Sequence, residues 1–172
     1  DVPQMGDLSE DELHEMELFR AYANAATVIK NAKFSERVTL HIAKMGWPVN
    51  VMKQIGIGSV TNYQDFINQM KTTYKHTAEF LKSADLDRRA LFNEHNLIFC
   101  VKDENGNPVG FAARNLRYEE ERVSYESSTD KDNLFKPVKY INTDAKCYIY
   151  KKSKRLFNFN LARKHAPPLY VF

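Results

Sequence analysis

The side chains best suited to chemistry in this sequence are cations and aromatic rings that alternate along its C-terminal third. Between residues 131 and 164 only Asp132 and Asp144 are acidic. The cations there are Lys131, Lys136, Lys139, Lys146, Lys151, Lys152, Lys154, Arg155, Arg163 and Lys164, interspersed with Phe135, Tyr140, Tyr148, Tyr150, Phe157 and Phe159. Because cations neutralise phosphates and rings stack on bases, this mixture is typical of a strand surface that binds a polyanion. A basic face that contacts only water is the alternative.

Other residue types that could support catalysis lack a suitable arrangement. Asp103 and Glu104 form an acidic pair near a glycine, but their position between two β-rich runs favours a hairpin turn over a metal site. The five histidines show neither metal-ligand spacing nor the pattern of a catalytic triad. Cys100 and Cys147 lie far apart in apolar stretches, which predicts two buried free thiols and no zinc site.

The composition indicates a folded domain outside the membrane. The 172 residues are 43 % hydrophobic, which is enough for one core or two small ones, and their net charge is +3. No run of about 18 apolar residues could cross a bilayer, and the first residues do not resemble a secretion signal. We therefore expect a cytoplasmic protein, in agreement with the predicted free thiols.

A long acidic helix is predicted at the N-terminus. Ser9 followed by Glu12 is the signature of a capping box, and the helix is expected over about residues 10–32. The apolar residues at helical spacing are Leu13, Met16, Phe19, Ala23, Ala26 and Ile29.

Shorter helices are predicted to follow and to complete a helical cluster. Ser35 is suited to cap a second helix that Gly46 ends, with Val38, Ile42 and Met45 on one face. Further helices are expected after Pro48, Asn62 and Thr77.

The second half of the chain is predicted to form a small sheet. Two β-rich runs, 97–101 and 108–113, flank an Asn-Gly pair, which is a strong hairpin signal. Residues 117–136 are polar and are expected to form a mobile loop with a short strand near Val123. The remaining expectations are strands at 138–142 and 148–150, a helix at 159–165 and a buried strand at 169–172, beyond which the natural polypeptide would continue.

Four segments resemble, in this order, the N-terminal half of the RNA polymerase domain of DnaG-type primases. Residues 42–58, IAKMGWPVNVMKQIGIG, resemble the family's Y-L-x-x-R-G-L helix end and the segment that leads from it to I-G. Residues 99–114, FCVKDENGNPVGFAAR, resemble its F-P-I-R-D-x-x-G-x-x-x-G-F-x-G-R hairpin. Residues 138–143, VKYINT, and 150–157, YKKSKRLF, resemble the P-K-Y-L-N-S and F-x-K-G-x-x-L-Y-G blocks. Residues 169–172 resemble the strand before the E-G-Y-x-D motif of the TOPRIM fold.

The sequence also departs from the family pattern. Met45 and Asn96 stand where the family usually has arginine, and residues 112–113 are alanines where glycines are frequent. Lys44 and Lys102 are candidates to replace the two arginines. This drift is more similar to bacteriophage primases than to cellular ones.

The resemblance implies a set of nucleotide- and template-binding residues. Those expected to line one wall of the active-site groove are Arg114, Lys139, Asn142 and Lys152, with Lys102 and Lys154 as further binding residues. Lys139 and Lys152 match lysines that contact the initiating nucleotide in the family. The alternatives are a solvated strand edge for the two lysines, a turn-stabilising role for Asn142 and an internal salt bridge for Arg114.

The tyrosines of the same blocks have two interpretations. Tyr140, Tyr148 and Tyr150 could stack on template bases, although core packing is the more common role of such residues and is favoured here. Trp47, directly after Gly46, is likewise interpreted as a packing residue.

The predicted fold class is α+β, with a helical cluster, a mainly antiparallel sheet that contains a hairpin, and the first strand of a truncated TOPRIM fold. The expected division is an acidic helix or linker at 1–34, a basic primase subdomain at 35–167 and the start of the TOPRIM subdomain at 168–172.

The resemblance also implies the reaction, the cofactor and the partners. A primase joins nucleoside triphosphates on a single-stranded DNA template, a phosphoryl transfer that Mg²⁺ or Mn²⁺ on carboxylates assists. Because the chain lacks a matching carboxylate cluster, we expect the metal in the full-length parent and an inactive fragment without zinc. A replicative helicase is a further expected partner. A non-catalytic nucleic-acid-binding module is the alternative function, and an interaction domain built on the acidic helix is a third.

Overall fold

The computed structural model describes residues 8–144, which form six α-helices and four β-strands. The helices are α1 (Glu10–Asn31), α2 (Glu36–Met45), α3 (Val49–Gln54), α4 (Tyr63–Asn68), α5 (Ala78–Ser83) and α6 (Tyr118–Ser127). The strands are β1 (Ile57–Gly58), β2 (Asn96–Lys102), β3 (Pro108–Asn115) and β4 (Tyr140–Asn142). A π-helical turn at Gln69–Thr73 extends α4, and a 3-10 turn at Lys131–Asn133 precedes β4.

Side-chain caps fix the starts of the helices where the sequence predicts them. The Ser9 hydroxyl accepts from the Glu12 amide, and the Glu12 carboxylate accepts from the Ser9 amide, so both bonds of the capping box form. Ser35, Asn62 and Thr77 cap α2, α4 and α5 in the same way. The predicted positions of these helix starts are therefore confirmed.

The four strands form one antiparallel sheet in the order β1-β2-β3-β4. The predicted hairpin is confirmed as β2 and β3. Asp103 closes its turn, because the Asp103 carboxylate accepts from the amides of Asn105 and Asn107, each at 2.9 Å. Asp103 therefore acts as the turn residue that the sequence predicts.

The two faces of the sheet belong to two separate cores. Residues such as Ile98, Phe111 and Ala113 pack with α1, α4 and α5 in the larger core. Leu97 and Ile57 point to the opposite face and pack with Val38, Ile42 and Met52 of α2 and α3. The predicted fold class, helical cluster plus antiparallel sheet, is confirmed for the part of the chain that the structure describes.

Helix α1 is part of the larger core, but its buried face differs from the predicted one. The buried residues are Leu18, Ala21, Tyr22, Ala25, Val28 and Ile29. Met16 and Ala23, predicted to be apolar contacts, are exposed. The reason is that Tyr22 enters the core, where its hydroxyl donates to the Ala84 carbonyl at 2.6 Å and its ring stacks on Phe111. The division at residue 34 stays a prediction.

Two contacts of α1 are tight and specific. A Cβ added at Gly58 would lie 2.9 Å from Ile29 Cγ2 and 3.1 Å from the Ile29 carbonyl oxygen, so only glycine lets β1 approach the helix this closely. Asn24 Nδ2 lies 3.0 Å from Nε2 of His76, which is buried. Burial and the positive charge of Arg20 hold the pKa of His76 below its usual value.

The expectation of a mobile loop with a strand over residues 117–136 was wrong. Most of this segment is α6 and the following 3-10 turn, and Val123 is an exposed helical residue. No residue of α6 is buried. Charge pairs support the helix instead, since Arg122 contacts Glu119 and Glu126, and Arg37 of α2 pairs with Glu120 at 2.7 Å.

Two smaller predictions about exposed residues were also wrong or only partly met. Met45 is 49 % exposed rather than packed in the α2 core, and Trp47 is 36 % exposed. Met45 is the last residue of α2, and Trp47 follows the cap residue Gly46, whose left-handed φ of 70° ends the helix between them. None of the helices at residues 8–144 is long and apolar enough to cross a bilayer.

Several expectations lie outside the described residues. They are Cys147, the strands at 148–150 and 169–172, and the helix at 159–165. Cys100, the other predicted free thiol, is buried and unpaired, and burial raises the pKa of its thiol to about 12.

Candidate nucleic-acid interface

The sheet face opposite α1 is open where β3 and β4 lie. Arg114 pairs with Tyr140 across the two strands, and Ala112 pairs with Asn142. Since alternate residues of a strand share a face, all four side chains project on the side opposite α1. The structure thus brings Arg114 and Asn142, two residues predicted for the site, onto one surface.

Tyr140 connects the two nearest cations of this surface. Arg114 Nη1 donates to the Tyr140 hydroxyl at 2.9 Å, and the guanidinium carbon lies 5.2 Å from the centre of the ring. Lys139 Nζ lies 6.0 Å from the same ring and 5.9 Å from the ring of Tyr118. Tyr140 is 56 % exposed. The prediction of core packing was therefore wrong for Tyr140, because β4 is the edge strand and no helix of the described chain covers this part of the face.

Arg114 has no ion-pair partner among residues 8–144. Its Nε atom is buried and, among the residues described, makes no hydrogen bond. The internal salt bridge considered for Arg114 is therefore absent there, and its guanidinium charge is held by a neutral hydroxyl. Because no carboxylate among residues 8–144 neutralises it, this guanidinium can bind an anionic ligand.

Helix α2 places further positive charge beside Arg114. Partial burial lowers the pKa of His41, and the nearby charges of Arg114 and Lys44 lower it further. Lys44 itself is exposed. Lys44 was the predicted substitute for an arginine at Met45, and its charge acts on the same region as that of Arg114. His41 and Tyr118 were not among the predicted residues, because their proximity to Arg114 and Lys139 depends on how α2 and α6 pack in the fold.

The strand that carries this surface is anchored at its far end. The Asn142 side chain is exposed, whereas its backbone carbonyl accepts from Arg88 Nη1 at 2.6 Å. The next residue, Thr143, is buried, and its hydroxyl accepts from the Phe111 amide at 2.8 Å. Within residues 8–144, no hydrogen bond of the Asn142 side chain stabilises a turn.

Lys102, the remaining predicted residue within residues 8–144, does not join this surface. Lys102 lies at the opposite end of the hairpin, opposite Pro108 and six residues along β3 from Arg114, which corresponds to about 20 Å. Lys152 and Lys154 lie outside the described residues. The face at hand consists of Arg114, Lys139, Tyr140 and Asn142, with His41 and Lys44 beside it.

Asn96, where the family usually has arginine, has a structural role. It is 1 % exposed, and its Nδ2 donates to the carbonyls of Ala90 and Leu91 at 2.9 and 2.8 Å. Its own carbonyl accepts from Ser59 at 2.8 Å. Asn96 therefore holds the loop before β2 against the sheet instead of presenting a charge.

A family model for the N-terminal domain of the DNA primase catalytic core matches residues 30–163. The chain belongs to this family. The match begins at the end of α1 and includes the hairpin, α6 and β4, so it covers every residue of the candidate surface.

Solved primases share the fold of this domain. The RNA polymerase domain of Mycobacterium tuberculosis primase DnaG is 22 % identical with a TM-score of 0.63, and the alignment covers 87 % of this chain and 46 % of that one. A DnaG primase catalytic domain bound to ssDNA is 17 % identical, with a TM-score of 0.60 and coverages of 88 % and 46 %. The Aquifex aeolicus primase, solved with its zinc-binding and RNA polymerase domains, is 16 % identical, with a TM-score of 0.60 and coverages of 92 % and 36 %.

These likenesses establish the fold. The chain spans less than half the length of each of these structures. No curated protein matches it. Within residues 8–144, no group of three or more His, Cys, Asp or Glu side chains is arranged to hold a metal ion.

Proposed function

We propose that this domain grips the single-stranded DNA template and the nucleoside triphosphate for a primase that makes short RNA primers. The observation that carries the proposal is the open surface of β3 and β4, where Arg114 and Lys139 flank the exposed ring of Tyr140. The solved DnaG catalytic domain bound to ssDNA supports it, because it has the same fold.

Each side chain has a separate task in this proposal. The guanidinium of Arg114 and the ammonium of Lys139 neutralise phosphates of the template or the triphosphate. The Tyr140 ring offers a stacking surface for a base, a contact worth about 1–3 kcal/mol that tolerates any sequence. The Tyr140 hydroxyl also holds the guanidinium in place. Lys152 and Lys154 are proposed to extend this grip.

The divalent metal of the reaction belongs to another part of the parent in this proposal. The residues at 8–144 do not fit a metal site, since no carboxylate cluster is formed there. In a primase, Mg²⁺ or Mn²⁺ stabilises the charge of the transferring phosphoryl group. Because this domain positions the template and the nucleotide and does not hold the metal, we propose that it is inactive alone. We also propose that the parent works in the cytoplasm.

Fluorescence anisotropy with a labelled oligo-dT tests the proposed grip on the 172-residue chain. Arg114→Gln and Lys139→Gln each remove one phosphate contact, so binding should weaken several-fold and the slope of log K against log salt should fall by about 0.7 per contact. Lys82→Gln is the matched control, because Lys82 is exposed on α5, away from this surface. Equal affinities and salt slopes for all four proteins would remove β3 and β4 from the site.

A non-catalytic binding module is the second candidate, because the surface alone accounts for binding and not for chemistry. A longer chain that includes the following part of the catalytic core distinguishes the two functions in a primer-synthesis assay with Mg²⁺. Primer formation that Arg114→Gln reduces supports the primase. A folded longer chain that binds template and makes no primers on varied templates supports the binding module.

A further inference from the structure

A second cationic site lies at the end of the sheet remote from Arg114. A cavity of about 220 Å³ opens between the C-terminal ends of α1 and α3 and the β2–β3 turn. Lys30 of α1, Lys53 of α3 and Lys102 of β2 line it, so three separate elements each bring one lysine to the same cavity. Lys102, which does not reach the β3–β4 surface, thus belongs to a different cluster.

The positive charge of this cavity is not balanced by its own walls. No aspartate or glutamate is among its lining residues. Among residues 8–144, none of the three lysines forms an ion pair. Asp103, adjacent to Lys102, directs its carboxylate to the amides of the hairpin turn. Like charges gathered in a concave site raise the local potential and attract an anion.

We propose that this cavity binds a phosphate group, either free as inorganic phosphate or diphosphate or as part of a nucleic-acid backbone. The cavity is smaller than the roughly 300 Å³ at which typical small-molecule pockets begin. Its lining contains no aromatic ring on which a base could stack. Both features favour a phosphate over a whole nucleoside.

The donors available in the cavity define how the phosphate is recognised. The amides of Gly56 and Gly106, which also line it, already donate to the carbonyls of Lys53 and Asp103. The ammonium groups and the side-chain amide of Gln54 are therefore the donors that remain, and the Phe34 ring lies 4.8 Å from Lys53 Nζ. Lysines act as point charges with little geometric preference, so sulfate should compete with phosphate and added salt should weaken both.

Isothermal titration of diphosphate into the 172-residue chain tests the site. The triple variant Lys30→Gln, Lys53→Gln, Lys102→Gln should lose at least about tenfold in affinity, because each change removes a charge-assisted contact. A control with Lys71, Lys75 and Lys82 changed to glutamine removes the same charge from exposed positions outside the cavity and should bind within about twofold of the parent.

The single variants Lys53→Gln and Lys102→Gln keep the test valid if the triple variant folds poorly, and each should show a several-fold loss. A parent that does not bind diphosphate, or that binds it as tightly as the folded triple variant does, overturns the proposal. An oligo-dT titration assigns the source: loss of oligonucleotide binding in the triple variant indicates a backbone phosphate, and unchanged oligonucleotide binding indicates a free phosphate.

This site is independent of the proposed template grip. Arg114→Gln and Lys139→Gln should leave diphosphate binding unchanged, since both residues lie at the other end of β3. Unchanged oligonucleotide binding in Arg114→Gln and Lys139→Gln would contradict the template grip alone. Unchanged diphosphate binding in the lysine variants would contradict the phosphate site alone.

Discussion

Asn96 stands where the family usually has arginine, and its replacement tests whether its side-chain amide stabilises the fold. In Asn96→Ala, the buried Leu91 carbonyl loses its donor, which costs about 1–3 kcal/mol, whereas the Ala90 carbonyl belongs to an exposed residue and can bind water. With about 1 kcal/mol for the second bond, the free energy of unfolding should fall by about 2–4 kcal/mol. Urea denaturation followed by circular dichroism measures this change.

Asn96→Asp gives the sharper result, because it keeps the shape and exchanges the donor for an acceptor. At neutral pH the new carboxylate would face two carbonyls in a buried position, so this variant should be less stable than Asn96→Ala. Burial raises the pKa of the new carboxyl above the unfolded value of about 3.9, and its destabilisation should shrink as the pH falls and the carboxyl becomes a donor. An Asn96→Ala variant within about 0.5 kcal/mol of the parent, or a difference between the variants that does not change with pH, would refute this reasoning.

Three further predictions concern packing and titration. Gly58→Ala should cost about 1–3 kcal/mol in unfolding free energy because its Cβ meets Ile29, whereas Gly46→Ala, with no atom within 4 Å, should cost about 1 kcal/mol for its left-handed backbone alone. Since the pKa of His76 is lowered by folding, stability should be full above about pH 6.5 and fall as the pH decreases below it; the urea midpoint should show this slope, and His76→Gln should reduce it. The buried Cys100 thiol, with a pKa of about 12, should react with a thiol reagent only in urea; rapid labelling of Cys100 itself in the native domain, located by peptide mapping to distinguish it from Cys147, would contradict its burial.

Local signals in the sequence predicted the positions of helices α1 to α5 and of the hairpin well. A cap such as Ser35 bonds to its own helix, and an Asn-Gly turn needs only its neighbours, so both can be inferred from a few residues. The face that α1 buries could not be inferred in this way. It depends on the hydrogen bond from Tyr22 to Ala84, a residue far from it in the sequence.

Helix α6 was missed because it has no apolar face to produce a helical period. The available signal was charge spacing, since Arg122 lies three residues after Glu119 and four before Glu126. Strand β1 was missed because two residues carry no period at all.

The candidate surface was predicted in part. The motif residues Arg114 and Asn142 share the face that strand alternation requires, while the exposure of Tyr140 depends on β4 being an edge strand. Lys102 was grouped with Arg114 by sequence resemblance, and only the length of the hairpin separates them.

The strand order also has a consequence for the order of folding events. The hairpin closes a loop of only residues 103–107, whereas β1 joins β2 across residues 59–95 and β4 joins β3 across residues 116–139. The longer connections raise the entropic cost of closure by about 1–2 kcal/mol. The central hairpin should therefore form early in the folding transition state, and the two outer strands should join it later.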